Sequence, residues 1–536
     1  AGGAAPRGGG RQEPPAPSPR RCRAALGEAP QHFKRFVTAD SIEEIEDSFA
    51  CLFECSELVD RPRDAGAERF PYEQLRLLPG LPWRAAKVWD LLDLQVGRED
   101  HAARRLHGQR VAVVGAGPVG LRLALEATLA GAAVTVLEKR GEFARINRLH
   151  LWDWVKQDLI AWGAKLFSPP GGSFGADKDY CHIGISELQL LLLKCCLLLG
   201  VSVEMGVEFR TASHVPSEQT WRVQTEPPLE GDQAIVDALV CCDGAASRCA
   251  EAHGSVPIKA GLGREGKAIG IVANFTNSHT QGERDLRQFS WARQFNAQLF
   301  AELKAKLGVD LENIVYYKGD GNHYLIMTPS KQCLVELGCL RGPEPPQAGL
   351  PLLHWSNVDV GELRDLARRV AEHFGLPTTF TPEQSVSFFD FSDTHRHEQA
   401  IIFKQECPSQ GGRPLPVCLA GDALLEPFWP TGLGCIRGFM SALDCISSLQ
   451  LWFSTYDQEL VARHSEQAYK LLKSVEGQTK DKSLRPDKEW RVDPGTRYRG
   501  FRAVVASCWR QRVPIEVSRQ QADAATALDG CAGKVA

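Results

Sequence analysis

No apolar run in the sequence is long enough to cross a bilayer. The longest, Leu188 to Val201, holds about fourteen residues and carries Lys194, whereas a spanning helix needs about 20 apolar residues. A buried helix fits it better. There is no excess of one charge either. Lys and Arg number 62 against 66 Asp and Glu, a formal net charge of -4. That balance gives no global pull toward nucleic acid or membrane, neither of which is an expected partner, although a local basic patch is compatible with it. Paired CxxC motifs at zinc spacing are missing. Cys51 and Cys55 share a helical face, but no His or second Cys pair completes a site, and no metal is expected. The 17 cysteines are odd in number and scattered, with Cys195/Cys196 and Cys241/Cys242 inside apolar runs. They read as structural thiols kept reduced, hence a cytoplasmic setting. No internal repeat is visible.

What is present is ordinary for a soluble globular protein: 43% hydrophobic and 24% charged residues over 536 positions, enough for two or three domains. Residues 1–35 begin in a Pro-, Gly-, Ala- and Arg-rich stretch and are expected to be a disordered tail rather than a transit peptide. Residues 36–108 should form a helical N-terminal segment. Ser41 and Glu44 have capping-box spacing before Ile45, Phe49, Leu52 and Phe53. Residues 109–262 alternate buried strands ("VAVVG", "AVTVLE", "AIVDALVCCDG") with helices (118–130, 186–200), and "VSVEMGVEF" (201–209) alternates like a strand. Residues 263–385 are β-rich. "GKAIGIVANFT", "NIVYYKG", "HYLIMTP" and "QCLVELGCL" predict an antiparallel sheet, and 359–374 a helix. The α/β character returns over 386–500, and 501–536 read as a second tail. The fold class is therefore α/β: a doubly wound, Rossmann-like domain with an inserted β-rich domain and a helical N-terminal segment.

The chemistry starts at Gly115, Gly117 and Gly120, which match GxGxxG between a strand and a helix. The first Gly permits the tight turn, the second lets backbone approach a pyrophosphate, and the third lets helix and strand pack closely. The phosphate would lie at a helix N-terminus, where free N–H groups and the dipole favour negative charge. Glu138 ends the second strand, placed to accept from ribose hydroxyls. This motif alone does not separate FAD from NAD(P). Some 300 residues later, Gly421-Asp422 follows another buried strand, and Pro430-Thr-Gly-Leu-Gly434 opens a helix. The pair resembles the second FAD fingerprint of group A flavoprotein monooxygenases (the GR2 type). In those enzymes the Asp binds the ribityl chain and the helix N-terminus faces the flavin. Asp243-Gly244 resembles their "DG" motif, and is equally an ordinary turn.

Longer stretches are more specific. "EKRGEFARINRLHLW" (138–152), "ISELQLLLLK" (185–194), "GVDLENIVYYKGDGNHYLIMTPSKQCL" (308–334), "FFDFSD" (388–393), "GDALLEPFWPTGLGCIRGF" (421–439) and "VDPGTRYRGF" (492–501) are similar to the monooxygenase domain of the MICAL family, over roughly 36–500. The resemblance implies FAD as cofactor, NADPH and O2 as co-substrates, and oxidation of methionines of F-actin to sulfoxide. It also implies a cytoplasmic, cytoskeleton-associated protein. By position, the family's FAD contacts fall on Glu138, Lys139, Arg140, Arg145, Asn147, Phe209, Tyr324 and Asp422, and its tryptophan beside the flavin ring falls on Trp429. Departures are Val119 for a usual Cys in the phosphate turn, Ile146 for a polar residue, Ser186 for Arg and Glu187 for Gln, and the composition of the loop 339–355. No calponin-homology or LIM-type pattern is visible after residue 500, so filament recognition is expected from the monooxygenase domain itself, with Lys318, Lys331 and Arg396 as candidate cations. Two other readings of the same pattern are hydroxylation of a small aromatic compound and an NADPH oxidase releasing H2O2; a third is a non-catalytic scaffold retaining FAD.

Overall fold

A computed structural model describes residues 19–57, 70–145, 147–165, 167, 180–259, 269–293, 296–319, 321–347, 350, 352–382, 384–390, 394–405, 413–427, 432–475, 491–498 and 501. The strand Arg110–Val114 is apolar on both faces, so it can only sit inside a covered sheet. It lies within six strands, ordered Ile401–Lys404, Leu415–Leu419, Ala238–Cys241, Arg110–Val114, Ala133–Glu138 and Ser202–Met205. All pair in parallel except the first, which runs antiparallel to Leu415–Leu419. The helix Pro118–Leu129 packs against both Ile185–Leu198 and Gly434–Thr455, and together with the sheet they share one core.

A second sheet is antiparallel, ordered Phe289–Ala292, Leu311–Lys318, Asn322–Pro329, Ile269–Thr276 and Val386–Asp390. Helices Ala297–Leu307 and Val360–His373 close its own core through Phe300, Leu303, Leu366 and Val370. The last strand pairs with Ile269–Thr276, so the β-rich unit extends to Asp390 rather than ending at 385.

Three expectations are corrected. Residues 19–35 are not tail: Pro19–Thr38 is a helix, with Ala29, Phe33 and Phe36 buried and Phe33 against Trp89 at 5.7 Å. That apolar stripe at i, i+4, i+7 outweighs a composition rich in breakers. The expected strand "QCLVELGCL" opens as a helix, Lys331–Glu336, because the Ser330 hydroxyl accepts from the Cys333 N–H and caps it. The run 234–244 is two short strands. Ile235–Val236 joins a small sheet with Glu208–Val215 and Thr220–Glu226, while Ala238–Cys241 joins the large one. Asp237 between them accepts from the Arg110 N–H, Nε and Nη2 at 2.9, 2.9 and 3.0 Å. None of the described cysteines is in a disulfide, and no described helix is long and apolar enough to cross a membrane.

Buried charge ties these layers together. Arg122, on the helix after the glycine turn, donates to Asp158 at 2.9 and 3.0 Å and to Glu126 at 2.6 Å. Glu126 also meets His101 Nε2 at 2.8 Å, which attaches the N-terminal helical segment. Burial works against the Arg122 charge, but the two carboxylates outweigh it and push its pKa up. Near the other end of the described chain, "VDPGTRYRGF" docks on the long helix. Arg497 and the Tyr498 hydroxyl both donate to Asp444, at 2.5 and 2.7 Å. Removing one partner of such a group strands the others without water. Arg122→Met should therefore cost about 3–5 kcal/mol in urea unfolding, and a loss below about 1 kcal/mol would show that Asp158 and Glu126 find other partners.

Next to that clip, His464 is buried with Nε2 2.9 Å from the Ser447 hydroxyl. Burial, with Arg497 adding, pushes its pKa from 6.5 down to about 4. The unfolded chain takes up this proton below about 6.5 and the folded chain does not until about 4, so stability should fall as pH drops through that window. The slope should be up to about 1.4 kcal/mol per pH unit from this residue. His464→Gln should flatten stability against pH between those values.

Candidate functional site

The three glycines of the turn are required for three different reasons. Gly115 has φ +107°, and a Cβ there would stand 2.5 Å from the Cys242 carbonyl oxygen. At Gly120 it would stand 2.0 Å from the Gly115 oxygen. At Gly117, which precedes the first turn of Pro118–Leu129, no atom of the described residues other than its chain neighbours lies within 4 Å of that point. The outer glycines are thus demanded by protein packing. The middle one borders open space in front of a helix N-terminus, a cradle that fits an anion.

The turn is fastened from two sides. Glu138 accepts from the Ala116 N–H at 3.0 Å and from the Arg140 N–H at 2.9 Å. Gln189 donates to the Ala116 oxygen at 2.8 Å, and its buried Oε1 has no hydrogen-bond partner among the described residues. Gln189 escaped the sequence reading. Its signal was a lone amide inside "LQLLLLK", and the orphaned oxygen beside the turn is a second feature that fits a polar ligand.

Val119 joins this turn to the distant fingerprint. Its methyls lie 3.2 Å from where a Cβ on Gly421 would stand and 2.5 Å from one on Gly438. Gly421 has φ +64°, and its N–H donates to the Ser441 hydroxyl at 2.9 Å. Asp422 follows, its side chain exposed between buried Gly421 and Ala423. Dense surrounding protein pushes its pKa up to about 6, against Arg145, which lowers it; contact with water limits that rise.

Arg145 is exposed and acts on Tyr324 as well. Asn147 donates to the Tyr324 hydroxyl at 3.0 Å, and its own carbonyl accepts from Ile185 at 2.9 Å. Tyr324 is fully buried and stacks on Tyr317, centroids 6.4 Å apart. Tyr317 lies 4.3 Å from the His182 ring, which meets His150 at 3.2 Å. His150 in turn abuts Gly432, where a Cβ would stand 2.7 Å from its ring. The neighbours of these tyrosines face the other way: Tyr316 bonds His323 at 2.7 Å, beside Glu283 at 3.5 Å. Strand alternation therefore splits "YYK…HY" into one pair facing the nucleotide-type domain and one facing the β-rich core.

Other expected residues are less central. Lys139 and Arg140 are exposed. Phe209 is buried, 5.8 Å from His253. Asp243 caps the helix Arg248–Ala252 through Ser247 and the Cys249 N–H, the local turn reading. Glu187 accepts from the Gly184 N–H at 3.2 Å and caps its own helix, while Ser186 is half-buried. Lys318 donates to the Arg284 and Leu286 carbonyls, so it has internal partners, and the Arg396 charge acts on Tyr469. Lys331 is half-buried. Trp429, Phe428, Pro430 and Ile146 lie outside the described residues.

Comparison with known proteins follows this geometry. Residues 267–402, essentially the β-rich sheet, match the family model described as Mical, Rossman domain. The mical1 F-actin monooxygenase of Danio rerio is 35% identical over 481 residues, 88% of this chain and 38% of the relative. Over most of its length the chain is thus similar to proteins of the MICAL family. The MICAL1 F-actin monooxygenase of Homo sapiens is 34% identical, over 94% of this chain and 47% of its own. The protein-methionine sulfoxide oxidase mical3a of Danio rerio is 34% identical, over 87% of this chain and 23% of its own. This chain thus spans less than half the length of these MICAL relatives.

The glycine geometry separates two variants. Gly438→Ala should destabilise by about 1–3 kcal/mol through overpacking against stiff Val119. Gly117→Val should fold with near-normal stability yet lose bound flavin, read by visible absorbance after gel filtration. Equal flavin content in Gly117→Val and wild type would place the cofactor elsewhere.

Proposed function

We propose that this chain is an FAD-dependent monooxygenase that uses NADPH and O2 to oxidise protein methionine to the sulfoxide, on actin filaments. The observation that carries the cofactor is the contact of Val119, in the glycine turn, with Gly421 and Gly438, which brings the Asp422 segment against the turn although about 300 residues separate the two fingerprints. The printed names of the relatives, F-actin monooxygenase and protein-methionine sulfoxide oxidase, support the substrate. The balance is NADPH, a proton, O2 and methionine giving NADP+, water and methionine sulfoxide. FAD, when bound, supplies the electron transfer from NADPH and the activation of O2. A thioether is a good soft nucleophile, so no side-chain base is required on the substrate.

The residues divide the remaining work. Gly115, Gly117, Val119 and Gly120 would frame the cofactor's phosphates at the helix N-terminus. Glu138 keeps the turn in place and, with Lys139, Arg140, Arg145, Asn147, Phe209, Tyr324 and Asp422, makes up the cofactor's surroundings. Trp429, by the family resemblance, would limit the positions open to nicotinamide or substrate at the flavin. Oxidation turns an apolar side chain polar and breaks a methionine-containing interface, which would disassemble the filament. With a net charge of -4, contact with acidic actin depends on local Lys and Arg.

F-actin should raise NADPH consumption several-fold over the basal rate, with polymer loss and sulfoxide seen by mass spectrometry. Stimulation should weaken between about 50 and 200 mM salt as the Debye length shortens. Trp429→Ala should keep FAD and lose about ten- to a hundredfold in methionine oxidation, as expected of lost positioning. Stimulation by small aromatic acids instead of filaments would make the protein a hydroxylase. Turnover that ignores both, with stoichiometric H2O2, would make it an oxidase.

A further inference from the structure

We propose that Gln384, in the β-rich unit, is a positioning residue for the segment 141–147, which carries the Arg145 and Asn147 flavin contacts. The assignment rests on the flavoprotein reading above. Its described residues, 141–145 and 147, belong to no helix or strand, so their place is set by their tethers. Asn147 bonds Tyr324 and Ile185 at its far end. In its middle, the Gln384 side-chain amide donates to the Ala144 carbonyl, one residue before Arg145, across 240 positions of sequence.

Gln384 is held in a conformation its side chain disfavours. It has φ +48° without being glycine. Gln219, also at positive φ, sits in a turn between strands, and Tyr456 ends a helix; Gln384, like His279, lies in a loop. Buried Asn274 imposes the conformation. Its Nδ2 donates to the Gln384 carbonyl at 2.8 Å, its N–H donates to Ser385 at 2.9 Å, and its carbonyl accepts from Thr381 at 3.0 Å. Asn274 Oδ1 accepts from Asn322 at 2.8 Å, at the turn between the two tyrosine-bearing strands. An unfavourable backbone conformation kept by so many bonds is the pattern of a functional constraint. Here its product is one amide aimed at the flavin-contacting segment, and the β-rich sheet thereby sets where Arg145 stands.

The exposed position of Gln384 allows substitutions that fold. Gln384→Glu keeps the shape but presents an acceptor to the Ala144 carbonyl. Gln384→Gly removes the amide and relieves the positive φ. Both should weaken FAD binding about five- to tenfold, the scale of one lost hydrogen bond, with a changed visible spectrum of the bound flavin. The unfolding midpoint of the FAD-free Gly variant should nevertheless equal or exceed wild type. A merely structural residue would move affinity and stability together. If wild type binds FAD and both variants bind it equally tightly, the assignment is overturned while the flavoprotein reading stands. A wild-type chain that takes up no FAD overturns both.

Discussion

Backbone meets backbone at the phosphate turn with no room for a methyl group, and the arrangement around it follows from that approach. A Cβ at Gly120 would overlap the Gly115 carbonyl, and one at Gly115 would overlap Cys242. The first strand, the helix after it and the strand Ala238–Cys241 are therefore locked at one distance. Val119 extends the lock. Its β-branched side chain has little rotamer freedom, and it reaches the space left by Gly421 and Gly438. The turn that would hold phosphate and the segment that carries Asp422 are consequently one rigid piece, although most of the chain lies between them. Ala116 inside the turn has both its N–H and its carbonyl bonded, to Glu138 and Gln189. Ala116 therefore has neither group to spare for a ligand, and donors for a phosphate are left to the helix N-terminus that follows.

Charge does the complementary work on the far side of the same helices. Arg122 and Glu126 lie one helical turn apart on the helix that starts at the glycine turn, and Asp158 and His101 come from elements on either side. Dispersion and apolar burial would hold those layers without specifying their rotation. A buried guanidinium that must satisfy two carboxylates does specify it. The Asp444 clip acts alike on the long helix, with Arg497 also bonded to the Arg491 and Val492 carbonyls.

Much of this was legible because it is local. The run "VAVVG", the GxGxxG spacing and the Ser41 cap, whose hydroxyl accepts from Glu44 at 3.3 Å, each declare themselves within a few residues. What escaped depends on contacts between distant residues. The helix Pro19–Thr38 is set by Phe33 meeting Trp89, which no local composition reveals. Glu138 was read as a ribose acceptor from its place at a strand end, and here its oxygens hold backbone N–H groups of the turn and of Arg140. Gln189 is invisible within an apolar run until Ala116 is brought beside it. Trp429 stands on the family resemblance and on nothing described around it.

The segment 141–147 shows how a site can be accurate without regular structure. Two of its side-chain links, Asn147 to Tyr324 and Gln384 to Ala144, cross to the β-rich sheet. They are unequal. The Tyr324 hydroxyl is buried under Tyr317, where a broken bond would strand a polar group at a cost of about 1–3 kcal/mol. Gln384 is exposed, so water can replace its bond at a net cost nearer about 0.5–1.5 kcal/mol. Thermal motion should therefore loosen the Ala144 end first, while Asn147 stays fixed to the stacked tyrosines. Any displacement of the β-rich sheet would pivot the segment about Asn147 and move Arg145, whose charge already acts on both Asp422 and Tyr324. The sheet that would meet a protein substrate and the residues proposed to meet the flavin are thus mechanically connected through one firm bond and one soft one.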